Sequence, residues 1–192
     1  MTRAPLILAS RSPQRRAILE QLGIPFLVRA ADVEELDAGP PDEVAVENAY
    51  RKAAAVSAAG AGGRVLAVDT VVSIGARMYG KPADADQASS TLRALSGRRH
   101  AVIGGLCLIE DGRSRTAATT TLVDFRALDD AIIDWYVASG EWRDRAGGYA
   151  IQGRGAALVE RIEGDYLNVV GLPVALLVRL LAERFPGVYG FG

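Results

Sequence analysis

The stretch Val65-Leu66-Ala67-Val68-Asp69-Thr70-Val71-Val72-Ser73-Ile74 decides how this chain is read. Its run of aliphatic and β-branched residues predicts a buried strand, the strongest in the sequence. One carboxylate breaks the pattern. An ionised Asp69 inside an apolar strand is costly unless it is paired, hydrogen-bonded or bound to a metal. Such a residue is a functional candidate; the plain alternative is an aspartate at a bulge or an exposed strand end.

The elements around that strand follow from caps and turns. Upstream, residues 6–9 predict a short buried strand. Ser12 as N-cap and Pro13 at the first helical position start a helix to about Leu22, which Gly23 stops. Residues 24–29 predict a second strand, and 31–41 an acidic loop with Asp32, Glu34, Glu35 and Asp37. Asp42 is read as the cap of a long helix to about Ala59, ended by the glycines of 60–63. Downstream, the chain returns in a hairpin-like turn at Gly75. Gly80-Lys81-Pro82 precede a helix over 84–95, closed by Gly97. Strands over 100–110 and 114–125 flank an Asp111-Gly112 turn signal. A helix over 129–139, a glycine-rich segment over 147–153, a strand over 156–162 and a helix from Pro173 to about Arg184 complete the order. Hairpins mixed with helices predict an α/β class with a mixed sheet. No repeat or linker divides residues 1–192, so the chain reads as one domain or one core in two lobes. Residues 186–192 read as a mobile tail without function.

Composition excludes more than it selects. Apolar residues make up 49% of the 192, charged residues 23%, and the formal charge is −1. That balance argues against a broad electrostatic footprint for nucleic acid or for an anionic membrane. Cys107 is the only cysteine, so no intramolecular disulfide forms, and it reads as a core residue. His100 is the only histidine, which excludes a two-histidine metal site within one chain. It reads as capping a strand start or facing solvent. Trp135 and Trp142 read as packing residues. No apolar run approaches the ~18 residues of a membrane span. The start of the chain, with one arginine and a short apolar run, reads as no signal peptide, and the expected compartment is the cytoplasm.

The remaining irregularities concern charge. Of the 22 basic residues, only Lys52 and Lys81 are lysines. Against that arginine bias, they mark sites where a compact ammonium is needed, unless they survive by chance. The helix start at Ser12 carries Gln14, Arg15 and Arg16, with Arg11 before it, where the helix dipole favours acids. Free backbone N–H groups and arginines there make an anion site suited to phosphate; the plain alternative is a solvated helix. Asp69 with the acidic loop supplies oxygen ligands for a hard cation such as Mg²⁺. Gln152, in the glycine-rich segment, can read a base edge, although a tight turn explains that segment as well. No Walker A, GxSxG or GxGxxG context is present. The residue chemistry adds up to the inventory for a Mg²⁺-bound polyphosphate and goes no further.

A set of ordered blocks resembles the Maf family of nucleoside triphosphate pyrophosphatases. They are Leu8-Ala9-Ser10-Arg11-Ser12-Pro13-Gln14-Arg15-Arg16, then Glu35, then Lys52-Ala53. Next come Ala67-Val68-Asp69-Thr70-Val71-Val72, Gly80-Lys81-Pro82 and Leu95-Ser96-Gly97-Arg98-Arg99-His100. The last are Ala146-Gly147-Gly148-Tyr149-Ala150-Ile151-Gln152-Gly153 and the run from Gly164-Asp165-Tyr166-Leu167-Asn168 through Val169-Val170-Gly171-Leu172-Pro173.

The resemblance implies an elongated α/β fold like that of the inosine triphosphate pyrophosphatases, with a nucleotide cleft between two lobes. It implies hydrolysis between the α- and β-phosphates to a nucleoside monophosphate and pyrophosphate, with Mg²⁺ or Mn²⁺, and often a homodimer. Carried over by position, Asp69 is the general base and also touches the metal, which Glu35 helps to hold. Lys52 and Lys81 act in catalysis and, with Ser10, Ser12 and Arg15, hold the phosphates. Thr70 and Gln152 match the pyrimidine-specific subgroup, so dTTP, UTP and modified pyrimidine triphosphates are the expected substrates. Gln14, the third specificity position, matches neither the Arg of that subgroup nor the Trp of the 7-methyl-GTP subgroup. The same chemistry on 7-methyl-GTP or on a broad range of bases therefore stays open. Arg145, at a common Lys position, and Ile103, at a common Thr position, read as drift. A reading from another class is a non-catalytic nucleotide-binding regulator of septum formation.

Overall fold

The computed structural model describes residues 5–30, 32–60 and 62–191. The reading of the first residues as lacking a signal peptide rests in part on residues 1–4, and it lies outside the described residues, as does Ala31 of the acidic loop.

A mixed seven-stranded sheet organises the chain. Its strands are β1 (Leu6–Leu8), β2 (Phe26–Val28), β3 (Arg64–Ile74), β4 (Arg77–Tyr79), β5 (Arg99–Glu110), β6 (Arg113–Phe125) and β7 (Val159–Glu163). The order is β2-β1-β3-β5-β6-β7, with β4 also on β3. β1 runs parallel to β2 and β3, and the other pairs are antiparallel. One edge of β3 pairs with β5 from Val65 to Ser73. The other edge is shared by β1, opposite Arg64 to Leu66, and by β4, opposite Val72 to Ile74. Between them, the edge of β3 around Asp69 and Thr70 has no strand beside it among the described residues.

The helices start where their caps predict, with one exception. α1 (Pro13–Gln21) is capped by Ser12, whose Oγ accepts from the Arg15 N–H at 3.5 Å. α3 (Ala85–Leu95) and α4 (Asp130–Ala138) are capped by Asp84 and Asp129 in the same way. α2 (Pro41–Ala58) corrects the reading of Asp42 as a cap: Pro40 is its N-cap, and Asp42 and Glu43 lie inside the first turn, where the helix dipole favours them. α5 (Tyr166–Val170) escapes a periodicity reading because it is barely more than one turn. Asp165 caps it by accepting from the Leu167 and Asn168 N–H groups. α6 (Val174–Arg184) closes the fold, following Pro173.

Two main cores lie at opposite ends of β3 and β5. At one end, Leu6, Leu8, Leu66, Val68, Leu106 and Leu108 pack with α1 and α6. The reverse face of that end, Ile7, Val65, Ala67 and Cys107, packs with α2. At the other end, Val72, Val102, Val123 and Phe125 pack with α3, α4 and the aromatic rings of Tyr136, Trp142 and Tyr149. Asp69 and Thr70 sit between these cores. Their cross-strand partners on β5 are Gly105 and Gly104. A Cβ on Gly105 would overlap the Ala45 backbone of α2, and one on Gly104 would overlap the Asn168 amide of α5. The paired glycines let α2 and α5 lie flush against the sheet at its waist.

Three sequence readings are corrected by packing. Residues 186–191 are not a loose tail. Tyr189 is 2% exposed, Val188 and Phe191 pack on the first core, and the Gly187 N–H donates to the Phe191 carbonyl at 2.9 Å. The Arg64 guanidinium lies 3.9 Å over the Phe185 ring beside it. Trp135 is 43% exposed with Arg154 over its ring, so of the two tryptophans Trp142 alone is a core residue. Ile103 is no neutral replacement: it packs with Val44, Ala45 and Val71, an apolar niche that suits it.

Gly105→Ala pushes α2 off the sheet, because the obstacle is backbone rather than a flexible side-chain end. It is expected to lower stability by about 1–3 kcal/mol, as overpacking does, read as a shift in a urea unfolding midpoint. Gly62→Ala, where an added Cβ meets nothing, is the control and is expected to stay within about 0.5 kcal/mol.

Candidate active site

The gap on the β3 edge opens into a cleft of about 370 Å³. The acidic loop, α2, β3, the segment after β4 and the glycine-rich segment all reach it. The sequence of α2 explains the first part of the site. Its buried stripe runs Val44, Ala45, Asn48, Ala49, Ala53, Val56, an amphipathic period with one amide in it. Asn48 and Lys52 stand four residues apart, one turn along the same face.

Lys52 and Asn48 hold Asp69. The Lys52 ammonium lies 2.5 Å from Asp69 Oδ1 and 2.7 Å from Glu35 Oε1. Asn48 Nδ2 reaches Asp69 Oδ2 at 3.4 Å. The same amide clasps the acidic loop: it accepts from the Leu36 N–H at 2.7 Å and donates to the Leu36 carbonyl at 3.0 Å. Asn48 thus fixes Glu35 in register with Lys52 and Asp69. Sequence reasoning missed it, although a buried amide one turn before a rare lysine is the signal that could have found it. Glu35 lines the cleft, whereas Glu34 offers its carbonyl to Arg51 at 3.3 Å.

Arg15 ties three segments together. Its Nε donates to the Gly171 carbonyl at 2.8 Å, Nη1 to Ser10 Oγ at 3.0 Å and Nη2 to Thr70 Oγ1 at 3.1 Å. Two of its five N–H groups are left to face the cleft. Burial lowers the Arg15 pKa from its ordinary value, and the charges of Asp69 and Glu35 oppose that shift. Ser12, Thr70, Lys81 and Gln152 line the cleft as well. Among the described residues Lys81 has no ion-pair partner.

Two residues singled out from the sequence lie off the cleft wall. Ser10 is buried, and its Oγ accepts from Arg15 and from the Ser12 N–H, so it shapes the loop before α1 rather than facing the cavity. Gln14 accepts from Ser12 Oγ at 3.1 Å and does not line the cleft. Arg145, read as drift, does line it, with a buried Nε that has no partner among the described residues. Among the described residues, no three carboxylate, histidine or cysteine side chains converge as a preformed metal centre. Glu35 and Asp69 are bridged by Lys52.

The floor of the cleft rests on His100, which lies at the start of β5; of its two readings, the solvent-facing one is corrected. His100 is 1% exposed, its Nε2 lies 2.9 Å from the Tyr149 hydroxyl, and its ring packs edge-on against Phe125. Tyr149 in turn lines the cleft. Burial holds the His100 pKa down at about 4 and pushes that of Tyr149 up.

A family model described as Maf-like protein matches residues 5–184. Among curated relatives, the dTTP/UTP pyrophosphatase of Deinococcus radiodurans is 45% identical over 97% of this chain and 95% of its own length. That of Gloeobacter violaceus is 48% identical over 93% of this chain and 95% of its own, and that of Pyrococcus furiosus 42% over 92% and 93%. A solved HAM1 protein from Coxiella burnetii shares the fold, with a TM-score of 0.54 at 17% identity, over 96% of this chain and all of that one.

His100 makes stability depend on pH. Its folded pKa lies below the unfolded value of about 6.5, so the unfolded chain takes up the proton first as pH falls. The His100 contribution is complete above about pH 6.5, and up to about 3 kcal/mol is lost as pH falls towards 4. Denaturation midpoints at pH 7.5, 5.5 and 4.5 measure the slope. His100→Gln is expected to flatten it; an unchanged slope in that variant places the titrating group elsewhere.

Proposed function

The chain belongs to the Maf family, and from that premise we infer that it is a nucleoside triphosphate pyrophosphatase whose substrates are dTTP and UTP. The observation that carries the reading is Asp69, a carboxylate held by Lys52 and Asn48 where a strand edge opens into the cleft. A binding-only protein has no use for a carboxylate built into a core strand at that cost.

The residues divide the reaction between them. Asp69 Oδ2, whose only partner among the described residues is the long bond from Asn48, accepts the proton of the attacking water. The water oxygen bonds to the α-phosphorus, and the bridging P–O bond breaks with its electron pair leaving on pyrophosphate. Lys52 and Lys81 offset the charge that grows on the phosphates, as do the two free N–H groups of Arg15. Ser12, which lines the cleft, adds a hydroxyl to the phosphate-binding set. The donor set suits a hard cation: two carboxylates, Glu35 and Asp69, each with an oxygen not taken by Lys52. A Mg²⁺ or Mn²⁺ ion brought in on the triphosphate would be held there and would supply charge neutralisation at the phosphates.

Base choice falls to Thr70 and Gln152, both in the cleft wall. The Gln152 amide offers a donor and an acceptor to the O4/N3 edge of uracil or thymine. Gln14 lies off the wall, so its departure from the pyrimidine pattern weighs less than the two matches. Apolar walls from Val72, Val102, Tyr149 and Val170 fit the faces of a base.

Pyrophosphate release with Mg²⁺ and then Mn²⁺ across UTP, dTTP, CTP, GTP and 7-methyl-GTP tests this. UTP and dTTP are expected to lead, and Asp69→Asn to lower their kcat by about 10²–10⁴-fold. A variant with unchanged kcat removes Asp69 as base. Another leading nucleotide keeps the chemistry and overturns the base assignment. Nucleotide binding without turnover in the wild type points to a regulator.

A further inference from the structure

A second pocket, of about 220 Å³, backs onto the cleft. The segment from Met78 to Lys81 is the partition, lining both cavities. Lys81 therefore stands at a passage, with the candidate catalytic group on one side and this pocket on the other. The lining is made for an anion. It holds two cations, Arg77 and Lys81, and no Asp or Glu. Neither cation has an ion-pair partner among the described residues, although acids and bases are nearly equal in number along the chain.

The rest of the wall donates hydrogen bonds. Gln87, Ser90 and Thr91 stand at i, i+3 and i+4 on one face of α3. Gln87 Oε1 is taken by the Ala83 N–H at 2.6 Å, which turns its amide NH₂ outward as a donor. The hydroxyls of Ser90 and Thr91 have no partner among the described residues. The Arg77 guanidinium lies 5.1 Å from the centroid of the Tyr79 ring, which restrains the fork before any ligand arrives. A restrained guanidinium, an ammonium and three donors around an acid-free cavity make a site for a dense oxyanion.

We propose that this pocket takes a pyrophosphate group that has passed Lys81: the released product, or the terminal phosphates of a nucleotide with more than three. The assignment of those sources rests on the pyrophosphatase reading above, in which the leaving pyrophosphate ends beside Lys81. The site itself rests on the pocket alone. On this reading Arg77 and α3 draw the product away from Asp69, and they extend the substrate range towards tetraphosphates and dinucleoside polyphosphates.

Calorimetric titration of the full chain with inorganic pyrophosphate tests the site without turnover. Arg77→Ala is expected to weaken binding about tenfold, the loss of one charge-assisted contact. Ser90→Asp, an exposed helix position that adds a like charge, is expected to weaken it at least as much. The kcat/KM for UTP stays within about twofold in both variants, because neither residue lines the catalytic cleft. The ratio of uridine 5′-tetraphosphate to UTP turnover separates the sources. A fall in that ratio assigns the pocket to longer polyphosphate chains, and an unchanged ratio with weaker pyrophosphate binding assigns it to the product. Pyrophosphate affinity unchanged in both variants overturns the proposal. Arg77-dependent binding in a chain that hydrolyses no nucleotide keeps the pocket and removes the pyrophosphatase reading.

Discussion

A carboxylate in the middle of a core strand has to be satisfied, and the architecture around Asp69 follows from that requirement. Asp69 is 7% exposed, in a strand whose buried residues are otherwise Val65, Leu66, Ala67, Val68, Val71, Val72 and Ser73. Its charge is met by an ammonium on α2, and its second oxygen by an amide one turn earlier on the same helix. Removing one partner of such a pair leaves an uncompensated buried charge, which costs more than the pair contributes. The arrangement therefore constrains the helix, the strand and the acidic loop together, since Lys52 also holds Glu35 and Asn48 also holds Leu36.

Backbone contact makes that constraint possible. A lysine and an asparagine reach a strand carboxylate only if their helix lies close to the sheet. The Gly104-Gly105 pair, directly across the ladder from Thr70 and Asp69, removes the side chains that would hold α2 and α5 away. The same waist separates the two main cores, so Asp69 and Thr70 are carried on a strand between two packed clusters rather than on a loop. β1 and β4 stop short of each other along one edge of β3, and the cleft occupies the space between them. An unpaired strand edge exposes backbone donors and acceptors; here it faces the cleft lined by Lys52, Asp69 and Lys81.

Local chemistry was legible where it was short-range. Ser12 caps its helix as read, and the helices read from residues 84 and 129 start there with Asp84 and Asp129 as caps, because an N-cap depends on residues three apart. Asp42 misled because Pro40-Pro41 fixes the helix start two residues earlier by its own φ restriction. Asp69, Lys52 and Lys81 each break a pattern or a bias, and Glu35 stands out by the family resemblance; the four line one cleft. The resemblance places Ser10 and Gln14 with them, yet both bond within the loop before α1 and its first turn. The sequence reads His100 as capping a strand start or facing solvent and places Tyr189 in a mobile tail, whereas both are buried. Their burial is decided by residues about 50 to 125 positions away, Tyr149 and Arg64 among them.

By itself, the sequence determined the α/β class, the identity of the buried carboxylate, the two rare lysines and the family. Each of those is written in one segment, as a run, a cap, a bias or a motif. Tertiary structure alone decided which glutamate meets Lys52, that Asn48 is the clasp, that Arg15 spends three donors holding the loop before α1, β3 and Gly171 together, and that Arg145 faces the cleft. The physical reason is the same throughout. A polar side chain takes the partner that packing brings within about 3 Å, and packing is set by contacts far apart along the chain.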